Sequence, residues 1–200
     1  MSIYGLKPRF QALLRPLVKR LSEAGVTANQ VTVLACAVSI ALGAFLCFRP
    51  DPALFLLVPA WFFARMALNA IDGMLAREFG QASRLGAYLN ELTDVVSDAA
   101  LYLPFAFLPG SSLGLVALVA GLAMVSEMAG VLGVLVGATR RYDGPMGKSD
   151  RAFVFGLLGL LAGLGVPLAA AMPWALAATA VLVALTIFNR IRQGLAESAR

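Results

Sequence analysis

The sequence lacks histidine altogether and contains two cysteines, Cys36 and Cys47. Without histidine, the protein has neither an imidazole base nor a histidine metal ligand. On a helix, the eleven-residue separation of the two cysteines corresponds to about 16 Å, which is too far for a disulfide. Histidine-based chemistry and an internal disulfide are therefore excluded, and we expect both cysteines to be packing residues.

Charged residues are also scarce. They make up 14% of the chain, whereas 60% of the residues are hydrophobic and the mean hydropathy is +0.83. A soluble domain usually carries about 25% charged residues, so this composition predicts an integral membrane protein. The 16 basic residues outnumber the 11 acidic ones. In a membrane protein, basic residues are concentrated in the cytoplasmic loops, where they contact anionic lipid headgroups. The excess therefore indicates membrane lipids rather than nucleic acid as the partner.

The apolar residues fall into six runs that are long enough to cross a bilayer as helices. The predicted spans are residues 27–48, 53–77, 86–108, 113–139, 151–166 and 174–189. At the start of the first span, Thr27 and Gln30 predict a capping box. Pairs of small residues four apart, Gly133 with Gly137 and Gly159 with Gly163, would permit close helix contacts, either inside the bundle or in a dimer.

Residues 1–26 alternate apolar and basic side chains, which predicts an amphipathic helix in the headgroup layer; a solvated flanking helix would show a similar pattern. The fold class is therefore an all-α integral membrane protein, in which six transmembrane helices follow an N-terminal amphipathic interfacial helix. We predict one domain over residues 1–200, with a six-helix bundle at 27–192 and a cytoplasmic tail at 193–200.

The basic residues predict the orientation of this bundle. Fourteen of them lie in the N-terminal segment, the 77–84 turn, the 140–151 loop and the C-terminal tail, which all fall on one side of the six spans. In the loops on the opposite side, Arg49 is the single basic residue. By the positive-inside rule, both termini and the 77–84 turn are predicted to be cytoplasmic.

The most polar segment between apolar runs contains two groups of amides and carboxylates. Asn69 and Asp72 lie three residues apart, and Asn90, Asp94 and Asp98 follow at steps of four, so each group shares one helix face. A turn between the groups would point them at each other. Ionisable groups inside a membrane span are costly and indicate function. The alternative is a purely structural role, in which these groups form polar contacts that hold the bundle together; this alternative is strongest for Asp98.

The same positions resemble the signature of the CDP-alcohol phosphatidyltransferase family, D-x2-D-G-x2-A-R-x8-G-x3-D-x3-D. The eight signature positions here hold Asn69, Asp72, Gly73, Ala76, Arg77, Gly86, Asn90 and Asp94. All spacings match and six of the eight residues are identical. A bacterial branch of the family resembles this chain in carrying Asn at the first and third Asp positions of the signature, here Asn69 and Asn90.

The resemblance implies an enzyme that transfers a phosphatidyl group from a CDP-linked lipid, such as CDP-diacylglycerol, to an alcohol and releases CMP. It implies phospholipid biosynthesis at the inner (cytoplasmic) membrane, with a cytoplasmic active site and often a homodimer. Asp94 would take the proton of the attacking alcohol, and Asp72 is the second catalytic candidate. The implied nucleotide contacts are Gly73, Ala76, Arg77, Gly86, Asn29 and Thr32, the last two with simple helix capping as their alternative.

Carboxylate and amide oxygens suit a hard cation such as Mg²⁺ or Mn²⁺. The expected metal ligands are Asp72, Asp94, Asn69 and Asn90. Because each Asn removes a negative charge, we expect weaker binding of one cation or a shifted site that recruits Glu91 or Asp98.

Basic residues close to the fifth span are candidates for binding a phosphate on the acceptor alcohol. They are Lys148, Arg151 and Arg141, with Lys148 favoured by its position at the start of a helix; positive-inside anchoring is the alternative for Arg140 and Arg141. Glycerol 3-phosphate, an inositol phosphate, serine and other alcohols all stay open as acceptors, and the basic loop favours a phosphorylated one. Arg65 is expected to pair with Glu127 or to extend the site.

Two other functions fit parts of the pattern. A catalytically impaired family member would bind CDP-lipid without turnover, which the two Asn substitutions favour. A small transporter would need polar groups that reach through to the far leaflet, whereas here they gather at one side.

Overall fold

The computed structural model describes residues 6–199, with the side chains of the first helix described from Phe10 onwards. Within this range the chain forms seven α-helices and no strand. They are α1 (Leu6–Glu23), α2 (Ala28–Phe48), α3 (Leu57–Glu78), α4 (Arg84–Tyr102), α5 (Leu113–Leu132), α6 (Lys148–Gly163) and α7 (Met172–Ser198). Short 3₁₀ helices precede α3 (Pro52–Leu56) and follow α4 (Leu103–Phe107) and α5 (Gly133–Val136). Residues 1–5 of the predicted interfacial segment lie outside the described residues.

The helix ends follow from local sequence signals. The predicted capping box is confirmed: Thr27 Oγ1 accepts a hydrogen bond from the Gln30 N–H, and the Thr27 N–H donates to Gln30 Oε1. Helix α4 ends at Tyr102, before the predicted limit of the third span, because Pro104 cannot continue an α-helical ladder. Helix α7 continues to Ser198, past residue 189, so residues predicted as a tail extend the last helix.

Four helical segments are long and apolar enough to cross a membrane: Ala28–Phe48, Pro52–Glu78, Leu113–Val136 and Met172–Ser198. The predicted third and fifth spans do not meet the same criterion. Helix α6 has 16 residues, and α4 carries Glu91, Asp94 and Asp98 along its length. These carboxylates therefore reduce the apolar character of α4.

The starts of α2, α4 and α6 meet the ends of α3, α5 and α7 at one end of the bundle, here called the polar end. Gln81, in the turn between α3 and α4, accepts a hydrogen bond from the Ala28 N–H at 2.7 Å. At the same end, Glu197 of α7 accepts hydrogen bonds from both the N–H and the hydroxyl of Thr139. Three helix N-termini consequently lie at one end, as the antiparallel layout predicts.

Aromatic side chains fill the centre of the bundle towards the other end. Phe105 packs edge-to-face on Phe55 and on Phe155, with ring centroids 5.1 and 5.0 Å apart, and Tyr102 stacks on Phe155 at 3.9 Å. We call these four residues the aromatic core; all four are fully buried. Gly159 packs against the Phe55 carbonyl, so this small residue serves internal packing.

Helix α1 lies against α2 and α3 beside the polar end. Val18 is fully buried and packs in a cluster with Val31, Ile71 and Met74. At the surface, Arg15 forms a bidentate ion pair with Glu78, the last residue of α3. This contact fixes the end of the helix that carries the first half of the signature.

Candidate functional site

Asp72 sits in α3, nearly two turns before the end of the helix, and its carboxylate is buried. Thr32 Oγ1 of α2 donates a hydrogen bond to Asp72 Oδ2 at 2.7 Å. Since a buried carboxylate needs such a donor, Thr32 fixes one oxygen of Asp72. Thr32 was expected to contact nucleotide; it is itself buried and its hydroxyl is directed at this carboxylate.

Asp94 of α4 is held by two cations. Arg65 Nη2 of α3 lies 3.1 Å from Asp94 Oδ1, and the ammonium of Lys148, the first residue of α6, contacts Asp94 Oδ2. The Asp94 side chain keeps 22% of its surface exposed. Three helices thus converge on this carboxylate, and two positive charges contact it.

A groove of about 580 Å³ runs between α3 and α6 next to these cations. Its polar lining residues are Arg65, Asn69, Lys148 and Ser149, while the rest of its wall is almost entirely apolar, with Phe62 and Phe153 among the lining side chains. A ligand with a polar head and an apolar body would fit such a surface. Asn69 lies at the polar part of this groove.

The glycines of the signature allow neighbouring side chains and helices to approach the backbone closely. A Cβ atom on Gly73 would lie 2.6 Å from Nη2 of Arg77, so the glycine makes room for that guanidinium to fold back over α3. A Cβ atom on Gly86 would lie 2.9 Å from Oδ1 of Asn29. Gly86 therefore lets the start of α4 approach the start of α2. Ala76 is half-buried.

The signature residues supply oxygen donors of the kind that a hard cation takes. Within residues 6–199 no group of three or more His, Cys, Asp or Glu side chains is placed to hold a metal, so a cation held by the signature residues would have at most Asp72 and Asp94 as carboxylate ligands. Mg²⁺ commonly takes one or two carboxylates and completes its shell with water and substrate phosphates. The Lys148 ammonium beside Asp94 marks a place where a positive charge is already accommodated. Asn90 is exposed on α4.

A buried network of ion pairs continues from Asp94 into the bundle. Arg65 bonds Asp98, Asp98 accepts from Arg151 at 3.3 Å, and Arg151 bonds Glu127 at 2.9 Å. Arg65 was expected either to pair with Glu127 or to extend the site. The pairing with Glu127 is wrong, because Asp98 lies one turn after Asp94 on the facing helix and reaches Arg65 first, whereas the contact with Asp94 agrees with the second expectation. Asp98 therefore sits in the network behind the site, and Glu91 pairs with Arg140.

Of the three predicted acceptor contacts, Lys148 alone lines the groove among the described residues. Arg151 has none of its surface exposed and is bonded to Asp98 and Glu127. Arg141 forms ion pairs with Asp143 and Glu197. The hydrogen bonds from Arg141 lower the pKa of Asp143. The placement of both arginines does not favour contact with a ligand in the groove.

Sequence analysis missed the set of arginines around Glu127. Arg190 was counted only as a basic residue of the tail, yet it is 2% exposed and lies 3.3 Å from Glu127. A signal was present: Glu127 is an acidic residue within an apolar run, and such residues need buried partners.

The fold and the site together define a helical membrane protein in which Arg65, Asn69 and Lys148 line an apolar groove and two of them hold the Asp94 carboxylate. The chain belongs to the CDP-alcohol phosphatidyltransferase family, whose family model matches residues 25–188. This match includes every signature position and all the helices that carry the site.

Curated relatives and solved structures agree with this assignment. The chain is 52% identical over 160 residues to inner membrane protein YnbA of Escherichia coli, covering 80% of each protein. It is 30% identical over 192 residues to a phosphatidylinositol phosphate synthase of Corynebacterium glutamicum, covering 90% of this chain and 84% of the relative.

The fold matches the phosphatidylinositol phosphate synthase of Mycobacterium tuberculosis with CDP-DAG bound. The TM-score is 0.74 at 22% identity, covering 90% of this chain and 92% of the other. A second structure of that protein, in complex with manganese and citrate, gives the same TM-score at 21% identity, covering 90% and 88%. At these identities the likeness shows the fold.

Proposed function

We propose that the protein transfers a phosphatidyl group from CDP-diacylglycerol or a related CDP-linked lipid to a small alcohol, releasing CMP, in phospholipid biosynthesis. The observation that carries the proposal is the position of Asp94 in the family signature. The carboxylate is partly exposed and is held by Arg65 and Lys148, which both line the apolar groove.

The groove supports a lipid substrate. Its apolar wall suits an acyl chain, and its polar part suits the phosphate end of the same molecule. A solved structure with this fold holds CDP-DAG. We propose that Gly73, Ala76, Arg77, Gly86 and Asn29 contact the nucleotide beside the start of α2. Thr32 acts on the nucleotide through Asp72 rather than by direct contact.

The chemistry follows from the two carboxylates. Asp94 takes the proton from the acceptor hydroxyl, whose oxygen forms a bond to the phosphorus atom that carries the diacylglycerol. The bond from that phosphorus to the bridging oxygen breaks, and CMP leaves with the electron pair. Lys148, which pairs with Asp94 and lines the groove, contacts the acceptor.

A divalent cation, Mg²⁺ or Mn²⁺, would be held by Asp72 and Asp94 with the amide oxygens of Asn69 and Asn90. When bound, it neutralises charge on the pyrophosphate. Metal titration of wild type against Asn69→Asp/Asn90→Asp tests this assignment, since the added carboxylates should tighten binding or raise the metal count. Equal affinity and stoichiometry would remove both asparagines from the ligand set.

We further propose six membrane spans, with α4 and α6 completing the bundle, both termini and the polar end in the cytoplasm, and a homodimeric assembly in the inner membrane. The E. coli relative named as an inner membrane protein supports the location. Accessibility of single cysteines introduced at Ser83 and Ser112, in a Cys36→Ala/Cys47→Ala background, tests the orientation: Ser83 should react from the cytoplasmic side only and Ser112 from the opposite side only.

The test of the function is CMP release from CDP-diacylglycerol by purified protein with Mg²⁺ or Mn²⁺ and a panel of alcohols. Asp94→Asn is the inactive control, and Asp143→Asn, in the 137–147 loop, is the matched active control. Release that depends on metal, one alcohol and Asp94 supports the proposal. CDP-diacylglycerol binding without release across the panel would instead indicate a family member that binds its lipid without turnover.

A further inference from the structure

A side-chain amide joins two stretches of the chain that meet at the polar end. Gln81 lies in the turn between α3 and α4, inside the eight-residue gap, 78–85, that the family signature leaves unspecified. Its Oε1 accepts a hydrogen bond from the Ala28 N–H at 2.7 Å, and its Nε2 donates to the Val26 carbonyl at 3.3 Å. These backbone groups precede Gln81 by 53 and 55 positions, so the fold alone brings them together.

Both ends of the Gln81 amide are used, which fixes its orientation. The oxygen faces a donor and the nitrogen faces an acceptor, so rotating the amide by 180° would oppose like groups at both contacts. Ala28 is buried at the start of α2, where the first N–H groups have no partner within the helix. Gln81, itself half-buried, satisfies one of them. The amide therefore takes the place of a backbone peptide group between the two segments.

The turn that carries Gln81 is fixed to the helices on both sides of it. Gly80 has φ +68°, a left-handed conformation that favours glycine, and the Gln81 N–H donates to the Leu75 carbonyl of α3 at 3.4 Å. On the other side, Ser83 Oγ accepts a hydrogen bond from the Gly86 N–H of α4 at 2.9 Å. A displacement of Gln81 would therefore move the end of α3 and the start of α4 together.

Three of the proposed nucleotide contacts border this junction. Arg77 precedes the turn, Gly86 follows it, and Asn29 is the residue after Ala28. Gly86 and Asn29 face each other closely, since a Cβ atom on Gly86 would lie 2.9 Å from Oδ1 of Asn29. The three contacts belong to three different helices. Gln81 joins the start of one of these helices, α2, to the turn that connects the other two.

We propose that Gln81 is a positioning residue for the nucleotide end of the CDP-linked lipid: its amide holds the turn against the start of α2 and so fixes Arg77, Gly86 and Asn29 relative to one another. That the ligand is a CDP-linked lipid rests on the proposed function. Gln81 acts through these three residues, because its own amide is bonded to the backbone. Since they hold the nucleotide and not the alcohol, loss of Gln81 should weaken binding of the CDP-linked lipid more than it lowers kcat.

Two glutamines permit a matched test. Gln81→Met keeps the length of the side chain and removes both hydrogen bonds. Gln30→Met is the control, because Gln30 also bonds an N–H group at the start of α2, that of Thr27, but does so within its own capping box. Both variants should lower the melting temperature, since each leaves an N–H group at the start of α2 without its partner. Gln81→Met alone should release the turn from α2.

The first readout is CMP release at varied concentrations of CDP-diacylglycerol and of the alcohol. Gln81→Met should raise KM for CDP-diacylglycerol by about tenfold, because small displacements of groups that position a substrate are costly. Its kcat and its KM for the alcohol should change little, and Gln30→Met should keep wild-type kinetics. An unchanged KM for CDP-diacylglycerol in Gln81→Met, or an equal rise in both variants, overturns the proposal.

The second readout is hydrogen exchange of the ligand-free protein. Gln81→Met should exchange faster than wild type both in the turn, over residues 79–83, and at the start of α2, whereas Gln30→Met should do so at the start of α2 alone. If the turn of Gln81→Met exchanges like that of wild type, Gln81 does not hold it. A loss of affinity would then indicate direct contact with the nucleotide, and the positioning role would be wrong.

Failure of the proposed function gives a different result. If wild type binds CDP-diacylglycerol without releasing CMP, the transferase function is contradicted, and the CDP-diacylglycerol affinities of the two variants then replace KM in the same comparison. If wild type binds no CDP-diacylglycerol, the nucleotide role of Gln81 falls together with the proposed function. Should Gln81→Met fail to fold, Gln81→Glu, which keeps the acceptor for the Ala28 N–H and loses the donor to Val26, is compared with Gln30→Glu by the same two readouts.

Discussion

The polar end and the aromatic core are stabilised by different forces. At the polar end, Arg65, Arg151 and Glu127 are buried as ions, and each is tolerated only because partners surround it. In the aromatic core, Phe55 and Phe105 are equally buried but contribute through close packing. The cost of removing two charges from water largely offsets the attraction within a buried ion pair, so such pairs add little net stability. We therefore assign the ion pairs of the polar end to function and the packing of the aromatic core to stability.

Tyr102 joins the two regions. Its ring stacks on Phe155, while its hydroxyl donates to Asp98 Oδ2 at 3.2 Å. The hydroxyl is thus the last polar contact of the network before the bundle becomes apolar. If this division between the polar end and the aromatic core is correct, substitutions at the polar end should mainly lower activity, and substitutions in the aromatic core should mainly lower stability.

The largest effect is expected for Asp94→Asn. Loss of the proposed base should lower CMP release by about 10²- to 10⁴-fold. The melting temperature should change only modestly, because the amide oxygen of the substituted side chain can still accept a hydrogen bond from Arg65. Turnover and thermal unfolding measured on the same preparation check this. A variant that keeps wild-type turnover would show that Asp94 is not the base.

In the aromatic core, Phe105→Ala should lower the free energy of unfolding by about 3 to 5 kcal/mol, because it leaves a cavity among closely packed rings. Below its melting temperature the variant should still release CMP. Phe107→Ala is the matched control, since Phe107 lies in the same 3₁₀ helix but is 54% exposed. Equal destabilisation by the two variants would contradict the assigned role of the core.

A smaller effect is expected for Thr32→Val, which removes the hydroxyl that donates to Asp72. An unsatisfied buried carboxylate should cost about 1 to 3 kcal/mol, and nucleotide and metal affinity should also fall. Thr179→Val is the control, because Thr179 is also buried and bonds only the Ala175 carbonyl of its own helix. Denaturant unfolding and ligand titration give the free energy of unfolding and the ligand affinity of each variant. The difference between the two variants in these quantities measures what the Thr32–Asp72 hydrogen bond contributes.

The smallest effect is expected for Arg15→Gln at the surface of α1. The Arg15–Glu78 pair is exposed, so its loss should cost less than about 1 kcal/mol and the cost should shrink in high salt. Unfolding at low and high ionic strength measures this. A loss that salt does not reduce would show that Arg15 acts on the end of α3 through packing instead.

Most of the helical architecture follows directly from local sequence. Thr27 with Gln30 predicts the start of α2, and Pro104 accounts for the end of α4, because capping and proline effects act within a few residues. Each half of the family signature, residues 69–77 and residues 86–94, is likewise a short stretch of sequence. Its assignment needed the spacing of eight residues and no contact between helices, and the match over residues 25–188 confirms the family that the signature indicated.

The partners of the charged residues could not be predicted in the same way. Sequence analysis left Arg65 to pair with Glu127 or to extend the site, and it directed Arg151 towards an acceptor phosphate. In the structure Arg65 bonds Asp94 and Asp98, and Arg151 bonds Asp98 and Glu127. Several carboxylates lay within reach of each arginine. The choice among them depends on the rotation of each helix about its axis, which is set by the packing of the whole bundle.

The sequence by itself determined that this is a helical membrane protein of one enzyme family, with Asp72 and Asp94 as its main candidates for chemistry. Only the tertiary structure decided which charges are free and which are neutralised. Composition and spacing act along the chain, whereas the ion pairs of Glu127 join residues 13, 24 and 63 positions apart. Their formation depends on three helices packing side by side, and no local pattern records that arrangement.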